Sequence, residues 1–239
     1  MGYFIYICKM MNTILYLIRH GETVDNVAQI MQGQTQGCLT EHGREQAEEV
    51  AARLAKVKID AIVSSDLRRA IQTAEIISSR HGLPVSVTPL LRERDWGSFT
   101  GRYIPDLKDE VWPEDIESLD CLLERAQRFL EYIMTNYEGQ TVVAVGHGIV
   151  NKAIQAVFYH KPMNQVQRMS NAEVRVLCLS TTAEVSSTAV TSMASTSKAS
   201  TTVTSTTEAA SSMTTSSMTA TTKTSTGTMA TAADTATAE

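Results

Sequence analysis

Two short apolar runs in this chain end in the same way. "TILYLIRHG" covers residues 13–21 and "TVVAVGHG" covers 141–148, and each passes from near-continuous aliphatic character into a histidine followed by glycine. Runs this short, without alternating polar positions, belong to strands buried on both faces. Such strands need helices above and below their sheet, so the rest of the chain has to supply them.

It does. In "LTEHGREQAEEVAARLAKV" (39–57), Ala47, Val50, Ala51 and Leu54 share one helical face, and Thr40 is placed as the N-cap. "DLRRAIQTAEIISSRHG" (66–82) predicts a second helix ending at Gly82, with Ser64 and Ser65 ahead of it as capping residues. Residues 116–137 align Leu119, Leu122, Leu123, Ala126, Phe129, Leu130 and Ile133 as a third apolar face, and "IVNKAIQAVF" (149–158) predicts a fourth helix. "DAIVSS" (60–65), "LPVSVTP" (83–89) and "AEVRVLCL" (172–179) read as further strands, while "LLRERDWGSFTGRY" reads as irregular. This alternation predicts an α/β fold, a three-layer α/β/α sandwich with a mostly parallel central sheet.

Composition sets the limits. A formal net charge of −5 provides no general basic field for nucleic acid or an anionic membrane, so any anion site must be a local constellation. Cys8, Cys38, Cys121 and Cys178 are scattered without a CxxC pair, which argues for reduced thiols in a cytoplasmic setting and against a zinc site or disulfide framework. The apolar N-terminus is broken by Lys9, Asn12 and Thr13, too short to span a bilayer, and lacks a small-residue cleavage pattern. Tyr6 stands where a myristoylation motif requires Ser or Thr. Met10 and Met11 make residues 1–10 an expected extension or upstream start. From 180 to 239 the chain is largely Ser, Thr and Ala with no aromatic residue, Leu or Ile, and a disordered tail is expected there. The folded domain is therefore expected over 11–179.

In sheets of this class, ligands bind beyond the carboxyl ends of the strands. Those ends carry His20 after the first strand, His147 after the fourth, and Ser64–Ser65 leading into a helix with Arg68 and Arg69. Two histidines, one or two arginines and helix N-terminal amides make an anion site, for which phosphate is the natural ligand.

Taken together, "LIRHGETVDN", "LTEHGREQA", "IVSSDLRRAIQTAE", "LRERDWGSFTG" and "VVAVGHG", in this order, resemble the histidine phosphatase superfamily, the phosphoglycerate mutase-like group. The resemblance spans about residues 13–179. It implies that His20 is the nucleophile that forms phosphohistidine, its second ring nitrogen held by a backbone acceptor near Gly21. Arg19 and Arg69 match the phosphate-binding arginines, and Asn26 is expected to add a further phosphate contact. His147 matches a donor to the phosphoryl group, and Glu93 the acid that serves the leaving oxygen and then water. Arg68 is expected to be a solvated neighbour. The chemistry implied needs no metal and no cofactor.

Members of the family either hydrolyse phosphomonoesters or move phosphate within phosphoglycerate. The related mutases carry a long insertion between acid and second histidine, whereas here Arg94 to Gly146 intervene, and Asp106, Asp109, Glu110, Glu114, Asp115 and Glu117 are expected to repel a sugar acid. Metal-independent hydrolysis of a small or moderately charged phosphoester is the expected activity. Mutase-type transfer, a non-catalytic phospho-ligand module and a phosphoprotein substrate stay open, as does the oligomeric state. Trp96, Phe99, Tyr103 and Trp112 are candidates for apolar walls around a leaving group. Family members usually add one more strand-like segment where this chain enters its Ser/Thr-rich stretch.

Overall fold

The computed structural model describes residues 12–180; the expected extension (1–10) and, apart from Ser180, the expected tail (180–239) lie outside the described residues. Five strands form one sheet: β1 Asn12–Arg19, β2 Ala61–Ser65, β3 Val85–Thr88, β4 Thr141–Gly146 and β5 Val174–Ser180. Their order is β3-β2-β4-β1-β5. The first four run parallel, and β5 returns antiparallel along β1 to close that edge.

Five α-helices complete the fold: α1 Val24–Val27, α2 Glu41–Leu54, α3 Arg68–Ser78, α4 Leu119–Asn136 and α5 Gly148–Phe158. Alternate residues of each central strand point to opposite faces. Leu15 and Leu17 of β1 with Val142 and Ala144 of β4 meet Leu122, Ala126, Phe129 and Ile133 of α4 and Val150, Ala153 and Ile154 of α5. Ile18, Val143, Val145 and Ile62 face the other way, onto Val50, Ala51 and Leu54 of α2 and Ala70, Ala74 and Ile77 of α3. The result is a helix–sheet–helix sandwich with a core on each side of the sheet.

Local chemistry sets the helix ends. The Thr40 hydroxyl accepts from the Gly43 amide at 2.9 Å and starts α2, and Ser118 does the same for Cys121 at the head of α4. Leu119 is consequently left at the rim of α4, exposed, one turn outside the face expected for it. At α3 the N-cap is Leu67 without a side-chain cap; Ser65 instead accepts from the Leu67 amide at 3.3 Å, before the helix begins. After α5 the backbone turns left-handed at His160, and the Lys161 amide reaches back to the Ala156 carbonyl at 2.9 Å.

Register positions the site. Arg19 pairs with Gly146 across β1 and β4, so His20 and His147 leave the sheet side by side, and the His20 amide donates to the Gly146 carbonyl at 3.0 Å. Beneath them, Gly21 and Gly43 pack backbone against backbone. A Cβ on Gly21 would overlap the Gly43 carbonyl oxygen, and one on Gly43 would overlap that of Glu22. Two glycines are thus required where α2 backs the first histidine turn.

Candidate active site

His20, Arg19, Asn26, Arg69 and Glu93 line one cavity of about 190 Å³ at the carboxyl end of the sheet. His147 is fully buried behind it, its ring centroid 5.0 Å from that of His20. The six come from five places in the fold: Arg19 and His20 from the end of β1, Asn26 from α1, Arg69 from the start of α3, Glu93 from the loop after β3 and His147 from the end of β4.

The His20 Nδ1 lies 2.7 Å from the Gly21 carbonyl oxygen, to which it donates, leaving Nε2 as the nitrogen with an available lone pair. Burial first, and then the Arg69 and Arg19 guanidiniums, hold His20 well below the usual histidine range. Its imidazole is therefore neutral near neutral pH. His147 is held low by burial, then by Arg69 and His20. The Arg69 Nε donates to His147 Nδ1 at 3.2 Å, which places the His147 proton on Nε2. That buried Nε2–H has no partner among the described residues. It is a donor held ready for a ligand oxygen.

Arg69 is 1% exposed, and most of its donors are committed: to the Thr35 and Gln36 carbonyls through Nη1 and to the Gly33 carbonyl at 2.9 Å through Nη2. It therefore shapes the 33–36 loop as well as charging the cavity. Arg19 donates to the Met169 carbonyl at 2.8 Å, while its buried Nε has no partner among the described residues. Burial pushes both guanidiniums down to about 10, with Arg168 adding to the effect on Arg19, and both stay charged at neutral pH.

Glu93 sits over the first turn of α5. Its Oε1 accepts from the Arg94 and Val150 amides at 2.9 and 3.0 Å and its Oε2 from the Ile149 amide at 3.1 Å. Oε2 is thus within reach of one amide, against three for Oε1. Asn26 closes a capping box with Thr23, and its Oδ1 also accepts from Asn171 at 3.1 Å, so its Nδ2 is left for the cavity it lines. Arg68, the expected solvated neighbour, is exposed outside the cavity.

Several contributors were not singled out in the sequence. Arg168 lines the cavity as a third guanidinium, packed against Gly148. Asn171 donates to the His20 carbonyl at 3.2 Å, and Thr73 accepts from the Gly21 amide at 3.1 Å. Three guanidiniums against one carboxylate give the cavity the charge surplus that a phosphoryl dianion neutralises. None of the six acidic residues expected to repel a sugar acid lines the cavity. Glu110 pairs with Arg102, Asp115 accepts from Ser98, and Glu117 pairs with Arg125 at 2.8 Å. Among the described residues no group of three or more His, Cys, Asp or Glu is placed to hold a metal ion, and no helix is long and apolar enough to cross a membrane.

The chain is similar in sequence and fold to known proteins. A protein named "Probable phosphoglycerate mutase GpmB" from Erwinia tasmaniensis is 31% identical over 169 residues, 65% of this chain and 79% of its own length. The native structure of a mycobacterial glucosyl-3-phosphoglycerate phosphatase superposes with a TM-score of 0.64 at 30% identity, covering 70% of this chain and 90% of that one. An Entamoeba histolytica phosphoserine phosphatase mutant bound to phosphoserine superposes with a TM-score of 0.63 at 26% identity, covering 71% and 95%. The histidine phosphatase superfamily (branch 1) model matches residues 15–190, and the chain belongs to that superfamily.

Proposed function

We propose that the chain hydrolyses small phosphomonoesters through a phosphohistidine on His20, without a metal ion, within a domain covering residues 11–179. The observation that carries the proposal is the state of His20: buried, neutral, tied at Nδ1 to Gly21 and facing a cavity with three guanidiniums. In the first step His20 Nε2 attacks phosphorus, the bond to the leaving oxygen breaks, and that oxygen takes a proton from Glu93. Arg19, Arg69, Asn26 and the His147 Nε2–H answer the charge on the equatorial oxygens. In the second step water attacks phosphorus, gives its proton to Glu93, and the N–P bond breaks to restore His20 and release phosphate.

The names of relatives favour a second reading, phosphoryl transfer within phosphoglycerate. Hydrolysis of p-nitrophenyl phosphate in excess EDTA, beside a His20→Ala control, separates the two. Turnover that survives the chelator and vanishes in the control is the expected result. A folded protein with no turnover above the control refutes hydrolysis and makes phosphoglycerate the next substrate.

A further inference from the structure

The phosphate cavity opens on one side into a second chamber of about 470 Å³, with which it shares Met31, Trp96 and Ile104. Phe99, Pro105, Leu107 and Trp112 complete its walls, and Lys108 is the one charged residue lining it. We propose that this chamber receives the leaving group, and that the substrates are phosphomonoesters of predominantly apolar alcohols. The inference rests on the hydrolytic reading above.

Three features carry it. The first is the position of the acid. Trp96 follows Glu93 by three residues on one loop, and both line the phosphate cavity. A leaving oxygen protonated by Glu93 therefore departs along the Trp96 wall. A second opening, past Arg168, Ser170 and Asn171, shares Ile104 and Pro105 with the chamber but does not include Trp96. The second is rigidity. Residues 29–31 and 101–104 are laced together: the Met31 amide donates to Arg102, that of Gly101 to Met31 and that of Ile104 to Gln29. The Trp96 and Trp112 rings meet edge-on at 5.7 Å, with the Arg94 guanidinium 4.9 and 5.3 Å from them. The third is exposure: Trp112 is 57% and Ile104 44% exposed, apolar surface left uncovered beside a charged cavity.

The test uses ethyl, butyl and hexyl phosphate, whose alcohols differ in apolar length and hardly in basicity. Each methylene enclosed is expected to raise kcat/KM about fourfold, the equivalent of ~0.8 kcal/mol. At least a tenfold rise from ethyl to hexyl is expected, flattened in Trp112→Ala, where the side chain removed is half-exposed. O-phosphoserine, with its charged alcohol, should fall below butyl phosphate. Both tryptophans of the chain line the chamber, so intrinsic fluorescence of His20→Ala reports occupancy independently of turnover. Tighter titration of His20→Ala by hexyl than by ethyl phosphate, when the unsubstituted chain hydrolyses neither, would keep the chamber and refute hydrolysis. His20-dependent turnover of p-nitrophenyl phosphate with no chain-length dependence in either readout would overturn the chamber and keep hydrolysis.

Discussion

The two buried histidines tie stability to pH in a calculable way. Both are held well below the usual histidine range, chiefly by burial and next by neighbouring cations. In the unfolded chain each returns to about 6.5. The folded state then binds fewer protons, so unfolding becomes easier as pH drops below that value. At pH 5.5 each unfolded histidine gains RT ln 11, ~1.4 kcal/mol, against less than ~0.1 at pH 7.5. The size depends on the unfolded value alone, provided the folded groups stay neutral. The pair should therefore remove ~2.7 kcal/mol between pH 7.5 and 5.5. Urea unfolding at the two pH values measures it. His20→Gln should lose about half of this pH dependence, His147→Gln the same, and other titrating groups cancel in the comparison. A His20→Gln protein with the wild-type slope would refute the claim that His20 is neutral in the folded state, and with it the lone pair required for attack.

Arg69→Ala should lower kcat/KM at least a hundredfold, ~3 kcal/mol of transition-state stabilisation. It should also shift the urea midpoint downward, because the Gly33, Thr35 and Gln36 carbonyls lose their donor at about 1–3 kcal/mol; Arg68→Ala should change neither. Glu93→Gln should depress turnover of an alkyl phosphate far more than that of p-nitrophenyl phosphate, whose leaving group needs little protonation. Equal losses on the two substrates in steady-state assays would contradict the acid role.

Much of the site was readable because its parts end strands or begin helices. His20 and His147 stand directly after the two most apolar runs, and a parallel register brings such ends together. The helix faces followed from periodicity, and Thr40 from its chemistry. The antiparallel return of β5 was not readable. Strands along a buried sheet carry the same aliphatic signature in either direction, and the connection from α5 is irregular. That return delivers Arg168 and Asn171 to a histidine turn near the other end of the domain, so neither stands beside a recognisable motif. The orientation of the acidic segment was hidden for a related reason. Loop charges have no periodicity to show which face they take; Glu110 and Asp115 turn to Arg102 and Ser98 in the neighbouring loop, and Glu117 to Arg125 on α4. The apolar chamber depends on residues 29–31 meeting 101–104, a pairing of irregular segments with no pattern to announce it.

The contact between Gly21 and Gly43 bears on how such a protein could be engineered. Glycine in the first turn of α2 is a poor helix former, and a propensity-based redesign would replace it with alanine for a gain of up to ~1 kcal/mol. Here the added methyl has nowhere to go except into the Glu22 carbonyl, and no rotamer relieves a clash of backbone with backbone. The adjustment would fall on the turn that carries His20. A substitution chosen to harden the scaffold would displace the His20 ring from the guanidiniums around it, so tolerance at position 43 is governed by the geometry of the cavity and not by helix propensity.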